Sequence, residues 1–221
     1  MYKQSNVTAI DNPDLGRRAL LGFLALAAVP FSIAANAAAA PSDAATTIER
    51  FDAALLSTMK AGGTGFNQRF QALAPAVDQA FDLPAVLALS VGPSWATLPP
   101  DQQSRLLGAF RSYTVASYVA SFDSYNGQKF SVSPDTTSLN ANEVVVHSRI
   151  TPMSGDATEL DYVVKQTSTG AKIVDVLAAG SISRVAVQRS DFRHLLSRGG
   201  GDALLASLQR KTADLSGGAL A

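Results

Sequence analysis

The 221-residue sequence has no cysteine and only two histidines, His147 and His194. The lack of cysteine excludes disulfides, thiolate metal sites and a lipid-modified cysteine anchor, so a packed core alone must stabilise the fold. The two histidines do not have the spacing of metal ligands, and neither a G-x-S-x-G elbow nor a strand-to-helix phosphate loop is present. We therefore predict no metal, no cofactor and no catalytic residue.

An excess of one charge is also lacking, because 18 Lys and Arg residues balance 18 Asp and Glu residues. The sequence has no basic cluster of the kind that binds nucleic acid or holds a protein on an anionic membrane surface. Nucleic acid is therefore excluded as a partner, and any contact with a membrane is expected to be transient.

Long apolar runs are scarce, and the clearest covers residues 19–33, directly after Arg17 and Arg18. This run is too short and too rich in alanine for a membrane anchor, and small residues follow it. We interpret residues 1–40 as an export signal that is cleaved near Ala37 to Ala40. Residues 41–221 then form a single exported domain with an ordered core over 46–211. The general secretory route and the twin-arginine route both remain open.

The apolar spacing predicts helices first and strands second. Apolar residues recur every three or four positions, which indicates helices over residues 46–61, 64–80, 83–91 and 100–122. Strands are predicted over 129–133, 143–151, 157–167 and 171–178, with short turns that favour an antiparallel meander, and two helices over 183–196 and 201–211 follow. We thus predict an α+β fold in which about six helices wrap one curved antiparallel sheet of about four strands, with an apolar cavity between sheet and helices.

Aromatic residues are concentrated in one stretch, since residues 81–130 hold eight of the thirteen that follow residue 40. Such a stretch with no catalytic constellation predicts a surface that holds an apolar ligand. Ordinary core packing is the alternative for each residue, and the sequence does not show which face of the strands meets the ligand. The candidate lipid-binding residues are Leu83, Leu87, Trp95, Phe110, Tyr113, Tyr118, Phe122, Val144, Val146, Tyr162, Val164, Val174 and Val176.

Two spaced blocks of residues carry a family resemblance. The first begins with Phe81-Asp82-x-x-x-Val86, continues with Gly92-x-x-Trp95 and Pro100-Asp101-Gln102, and ends with Tyr125-x-Gly127-Gln128. The second comprises Asp175-Val176, Gly180-Ser181-Ile182-Ser183, and a terminal Gly201-x-x-x-Leu205-x-x-Leu208. Together they resemble the MlaC, or toluene-tolerance, family of periplasmic lipid carriers over residues 48–208.

The resemblance implies the ligand and the partners of this chain. It implies a carrier that moves a phospholipid between an inner-membrane lipid transporter complex and an outer-membrane component. The P-S-W and S-F-D-S-Y-x-G-Q motifs are closest to the hopanoid-associated branch, so a hopanoid is the other expected lipid. Ala179 stands where the family has an acidic residue, so no role of that carboxylate is transferred.

Two other functions remain open at this point. One is a cofactor-free, isomerase-like enzyme that would use Asp161, Tyr162 and Asp175 in an apolar pocket, because a buried carboxylate beside a tyrosine can abstract a proton. In the non-catalytic interpretation, Asp161 is solvated or paired with Lys165, and Asp175 accepts hydrogen bonds from the loop over residues 180–183. The other function is a periplasmic chaperone or adhesion module that binds no lipid.

Overall fold

Helices form the first half of the domain. The structure is a computed structural model that describes residues 42–220, so the predicted export signal over residues 1–40 lies outside the described residues. Four α-helices and one 3₁₀ helix precede the sheet: α1 (Asp43–Lys60), α2 (Phe66–Ala80), α3 (Leu83–Val91), the 3₁₀ helix (Gly92–Thr97) and α4 (Pro100–Ser121).

Local capping sets the helix boundaries. The Ser42 hydroxyl accepts a hydrogen bond from the Ala45 amide at 3.2 Å, so α1 begins three residues before its predicted start. The Asp82 carboxylate caps α3 in the same way through the Ala85 amide at 3.0 Å. Gly92, with a positive φ of 72°, ends α3 in a backbone conformation that favours glycine.

The strands form one antiparallel sheet in the order β1-β2-β3-β4-β5. The predicted class and meander are confirmed, whereas the predicted count of about four strands is wrong. The additional strand, β5, has only two residues and pairs with the end of β4, which is too short to produce a periodic signal in the sequence. The strands are β1 (Lys129–Asn140), β2 (Glu143–Thr151), β3 (Thr158–Thr167), β4 (Gly170–Ala178) and β5 (Ile182–Ser183).

The first strand is longer than predicted. Its predicted end at residue 133 was placed before Pro134, which has no amide hydrogen for a ladder. In the structure β1 is an edge strand, and its register with β2 shifts between Val132 and Thr136. Edge strands and bulges are the two places where a sheet tolerates proline, so the strand continues through Pro134 to Asn140.

The chain closes with α5 (Arg184–Leu215), which is interrupted by non-helical backbone at Gly199 and Gly200. The two closing helices predicted over 183–196 and 201–211 are the two arms of this single element. About six helices were expected, and five α-helices occur within residues 42–220, because the last two are joined in α5 across Gly199 and Gly200.

The hydrophobic core lies between the helices and one face of the sheet. Ile48, Phe51 and Leu55 of α1 are at most 1% exposed, and they belong to one cluster with Tyr162 and Ile173 from the sheet. Within residues 42–220, no helix combines the length and apolar character required to span a membrane.

Candidate functional site

Helix α4 presents two different sides to the rest of the protein. Val115, Ala116 and Val119 are fully buried, whereas the neighbouring side that carries Ser117 and Tyr118 is only half-buried. The Ser117 hydroxyl donates to the carbonyl of Tyr113 at 2.7 Å within the helix, so it offers little free polarity. Side chains from the rest of the protein therefore do not cover this side of α4 completely, although it offers few free polar groups.

A first cavity, of about 40 Å³, lies against this side of α4. Its walls come from α3, α4, β4 and the first turns of α5. The lining residues are mostly apolar: Phe81, Leu83, Val86, Phe110, Tyr113, Thr114, Ser117, Tyr118, Asp175, Val176, Arg184, Val185 and Gln188.

A second cavity, of about 140 Å³, lies further along α4 towards its C-terminal end. Ser117, Tyr118, Val176 and Arg184 line both cavities, so the two share one wall. The remaining lining residues of the second cavity are Ser121, Phe122, Leu160 and Ala178.

The two cavities are small for a lipid. One water molecule requires roughly 10–15 Å³ of such volume, so the first cavity, of about 40 Å³, has room for only a few water molecules.

Aromatic rings connect the core to these cavities. Phe51 contacts Tyr118 edge-to-face with ring centroids 5.1 Å apart, and Tyr118 stacks on Phe122 at 6.1 Å. Phe122 in turn lies 6.0 Å from Phe130 of β1. The rings of Tyr118 and Phe122 are thus both cavity walls and members of an aromatic row, which fixes their positions.

Six of the thirteen sequence-predicted residues meet at the cavities. The structure brings together residues from α3, from α4 and the residue that follows it, and from β4. They are Leu83, Phe110, Tyr113, Tyr118, Phe122 and Val176.

The other seven line neither cavity. Leu87, Val146, Tyr162 and Val164 are at most 2% exposed within the core, and Trp95 and Val144 pack against the core from a half-buried position. Val174 is buried outside the main cluster. The pairing of β3 with β4 shifts at this point, so that Val174 is the extra residue of a bulge.

Several cavity residues were missed by the sequence analysis. Phe81 opens the aromatic stretch, and Val86 shares α3 with Leu83, so the helical spacing contained a signal for both. Arg184 and Gln188 gave no signal, because a search for an apolar lining passes over polar side chains.

The core holds a buried carboxyl group, that of Asp52 on α1, which is 4% exposed. Its Oδ1 accepts a hydrogen bond from the Tyr162 hydroxyl at 3.5 Å, and its Oδ2 has no partner within residues 42–220. Burial raises the pKa of Asp52 to about 7, the Tyr162 hydrogen bond opposes the shift, and the charge of Glu49 adds to it. Burial, together with the neighbouring Asp52, also raises the pKa of Tyr162.

The three residues of the enzyme alternative are not brought together. Asp161 Oδ2 lies 2.8 Å from His147 Nδ1, and His147 Nε2 lies 2.9 Å from the Thr137 hydroxyl, which joins β1, β2 and β3. Tyr162 is the next residue on the strand and extends to the opposite face, into the core. Asp161 is 8% exposed and its partners are His147 and the Ser148 amide, so the expectation that it is solvated or paired with Lys165 is wrong.

Asp175 is held by the start of α5. Asp175 Oδ2 accepts a hydrogen bond from the Ser183 hydroxyl at 2.5 Å. Asp175 Oδ1 accepts hydrogen bonds from the Val185 amide at 3.0 Å and from the amide of the next residue, Val176. Ser183 belongs to the loop over residues 180–183, from which hydrogen-bond donors were expected, whereas Val185 lies just beyond that loop. Among the described residues, no group of three His, Cys, Asp or Glu side chains could hold a metal ion.

Comparisons with known proteins show the fold and the family of this chain. The fold is similar to that of the phospholipid-binding protein from Ralstonia solanacearum, solved in complex with a phospholipid, with a TM-score of 0.70 and 23% identity over 79% of this chain and 99% of that chain. No curated protein sequence matches significantly. The family described as MlaC protein matches residues 49–210, and the chain therefore belongs to the MlaC family.

Proposed function

We propose that this protein is a periplasmic lipid carrier that shields the apolar part of one phospholipid or hopanoid between its helices and its sheet. The observation that carries the proposal is the pair of apolar, aromatic-lined cavities between α4, β4 and α5 in a chain of the MlaC family. The phospholipid bound by the similar Ralstonia protein supports a lipid as the ligand.

The energetics favour a cavity that opens only for its cargo. A lipid with about 30 buried methylenes, at about 0.8 kcal/mol each, gains roughly 25 kcal/mol in a membrane, so a carrier must offer a comparable apolar surface. An open apolar pocket of that area would expose its walls to water when empty. The small cavities around Tyr118 and Val176 are consistent with walls that close on each other between deliveries.

The carrier would collect its lipid at an inner-membrane transporter complex and deliver it to an outer-membrane component, or move it in the reverse direction. It would act in the periplasm after removal of residues 1–40. The candidate lipid contacts include Leu83, Phe110, Tyr113, Tyr118, Phe122 and Val176, which line the cavities. The seven predicted residues in or against the core would contact lipid only after the walls move.

Lipid extraction tests the proposal. The exported protein, purified from periplasm without detergent, should release one lipid on organic extraction, identified by mass spectrometry against a mock purification. A lipid-free protein would favour the chaperone or adhesion alternative, and chemical conversion of the lipid would favour the enzyme.

A matched pair of variants locates the lipid. Ser117 lines both cavities, so Ser117→Trp should fill them and reduce the lipid content at least severalfold. Ser104→Trp adds the same ring to the exposed side of α4 and should leave the lipid content unchanged. Equal lipid content in the two variants would contradict the placement of the lipid at these cavities.

A further inference from the structure

The two cavities lie on either side of one shared wall. From Ser117, Tyr118, Val176 and Arg184, the first cavity extends towards Leu83 and Val86 of α3, and the second extends towards Phe122 and Leu160. Two apolar spaces that meet at one wall match a molecule that has two apolar chains joined at one point. A single rigid ring system would use one of the two spaces only.

Arg184 is the cation at this junction. Among the described residues that line either cavity, it is the only one with a positive charge. It is exposed, and in the part of the chain that the structure describes its guanidinium has no carboxylate at ion-pair distance and no hydrogen-bond acceptor. The guanidinium is therefore free to bind a ligand.

Asp175 and Gln188, which also line the first cavity, already have hydrogen-bond partners. Asp175, which lines the first cavity, accepts hydrogen bonds from the Ser183 hydroxyl and the Val185 amide. Gln188 accepts from the Ser90 hydroxyl at 3.1 Å. Burial raises the pKa of the Tyr118 hydroxyl and the positive charge of Arg184 opposes that shift, which is consistent with a guanidinium close to the shared wall.

We propose that Arg184 binds the phosphate group of a two-chain phospholipid, and that one acyl chain enters each cavity as the lining side chains move apart. A guanidinium fork donates two parallel hydrogen bonds to phosphate oxygens, which gives both charge pairing and orientation. The inference rests on the proposed carrier function and adds the residue that distinguishes a phospholipid from a neutral lipid. A hopanoid without phosphate would leave Arg184 unused.

A competition between three lipids tests this assignment. The mature protein is loaded from detergent micelles that contain equal amounts of dioleoyl phosphatidylglycerol, dioleoylglycerol and a neutral hopene. After removal of detergent and gel filtration, the retained lipids are quantified by mass spectrometry. The first two lipids have the same chains, so the ratio between them measures the phosphate contact alone.

We expect the unmodified protein to prefer phosphatidylglycerol over dioleoylglycerol by about tenfold, the size of one charge-assisted contact. Arg184→Gln should abolish this preference, and Arg184→Lys, which keeps the charge but not the fork, should retain part of it. Arg193→Gln removes the same charge from an exposed position on α5 outside both cavities and should keep the full preference.

The outcomes separate this inference from the carrier function. Retention of both glycerolipids without preference, or a preference that survives Arg184→Gln, would overturn the role of Arg184 and leave the carrier function standing. Retention of no lipid by any variant would overturn both. A shift of the Arg184 Nε resonance by inorganic phosphate alone, with no loss of lipid preference in Arg184→Gln, would assign the guanidinium to free phosphate instead.

Discussion

The carboxyl group of Asp52 and the hydroxyl group of Tyr162 meet in the core, 3.5 Å apart, where α1 packs on β3. The second oxygen of Asp52 has no hydrogen-bond partner among the residues that the structure describes, and Asp52 is 4% exposed. An ionised carboxylate in this position would be poorly solvated, which is why burial raises its pKa to about 7.

The first prediction concerns stability against pH. Between the unfolded pKa near 4 and the folded pKa of about 7, the folded state binds one more proton than the unfolded state, so the free energy of unfolding falls as pH rises. The loss across this window is about 4 kcal/mol for a shift of this size. Asp52→Asn should remove this dependence, and Asp156→Asn, in an exposed loop, should not. Denaturant unfolding at pH 4.5 and pH 8 measures the free energy of unfolding of both variants. An equal change of this free energy with pH in the two variants would contradict the assignment.

The second prediction isolates the tyrosine. The hydrogen bond from Tyr162 favours the charged form of Asp52 and lowers its pKa relative to burial alone. Tyr162→Phe should therefore move the Asp52 titration to higher pH, with little change in packing volume. Carboxyl ¹³C NMR of Asp52 measures the midpoint directly, and an unchanged or lower midpoint would show that the two groups do not interact in solution.

Neither Asp52 nor its environment was identified from the sequence. Asp52 follows Phe51 on α1. The helical spacing predicted the apolar face of α1 but did not show that the carboxylate of Asp52 would be buried together with that face. Burial of a polar residue depends on which elements pack together, and in this case the partner is Tyr162, 110 positions away along the chain. Local periodicity carries no information on such a pair.

The sequence predicted the fold better than it predicted the residues of the candidate site. Repeated apolar spacing predicted α2 and α3 nearly to the residue, since their caps at Gly65 and Asp82 lie where the pattern begins. The strand β1 was cut short at Pro134 because its place at the sheet edge is a tertiary property. Tyr118 and Tyr162 were both candidates for lipid contact, and only the tertiary structure distinguishes the cavity wall from the core residue.

The third prediction concerns the interruption of α5. Gly200 has φ 61° and ψ −155°, a conformation that side chains with a Cβ disfavour, so Gly200→Ala should destabilise the protein by roughly 1–3 kcal/mol. Gly108→Ala on α4 places a Cβ in open space within a regular helix and should stabilise it by about 0.5–1 kcal/mol. Thermal unfolding of both variants gives the two signs. A neutral Gly200→Ala would indicate that the backbone relaxes there.

The last prediction concerns the connection between β4 and α5. Asp175 accepts hydrogen bonds from the Ser183 hydroxyl at 2.5 Å and the Val185 amide at 3.0 Å, and both donors belong to the start of the helix. Asp175→Asn turns part of this acceptor into a donor that faces other donors, so it should cost roughly 1–3 kcal/mol of stability. Lipid content in the molecules that remain folded should be almost unchanged. If Asp175 were a catalytic base, the variant would instead melt normally and lose turnover.

A double-mutant cycle attributes this cost to the Ser183 contact. Ser183 also caps α5 by accepting from the Ala186 amide at 2.9 Å, so Ser183→Ala alone should cost about 1 kcal/mol. The double variant should lose less than the sum of the two, by at least about 0.5 kcal/mol, because both changes remove one shared hydrogen bond. Ser42→Ala removes the comparable cap of α1 and shares no hydrogen-bond partner with Asp175, so its effect should add to that of Asp175→Asn within about 0.5 kcal/mol. Additivity in both pairs would mean that Ser183 and Asp175 stabilise the fold independently, and the contact at 2.5 Å would then contribute nothing measurable.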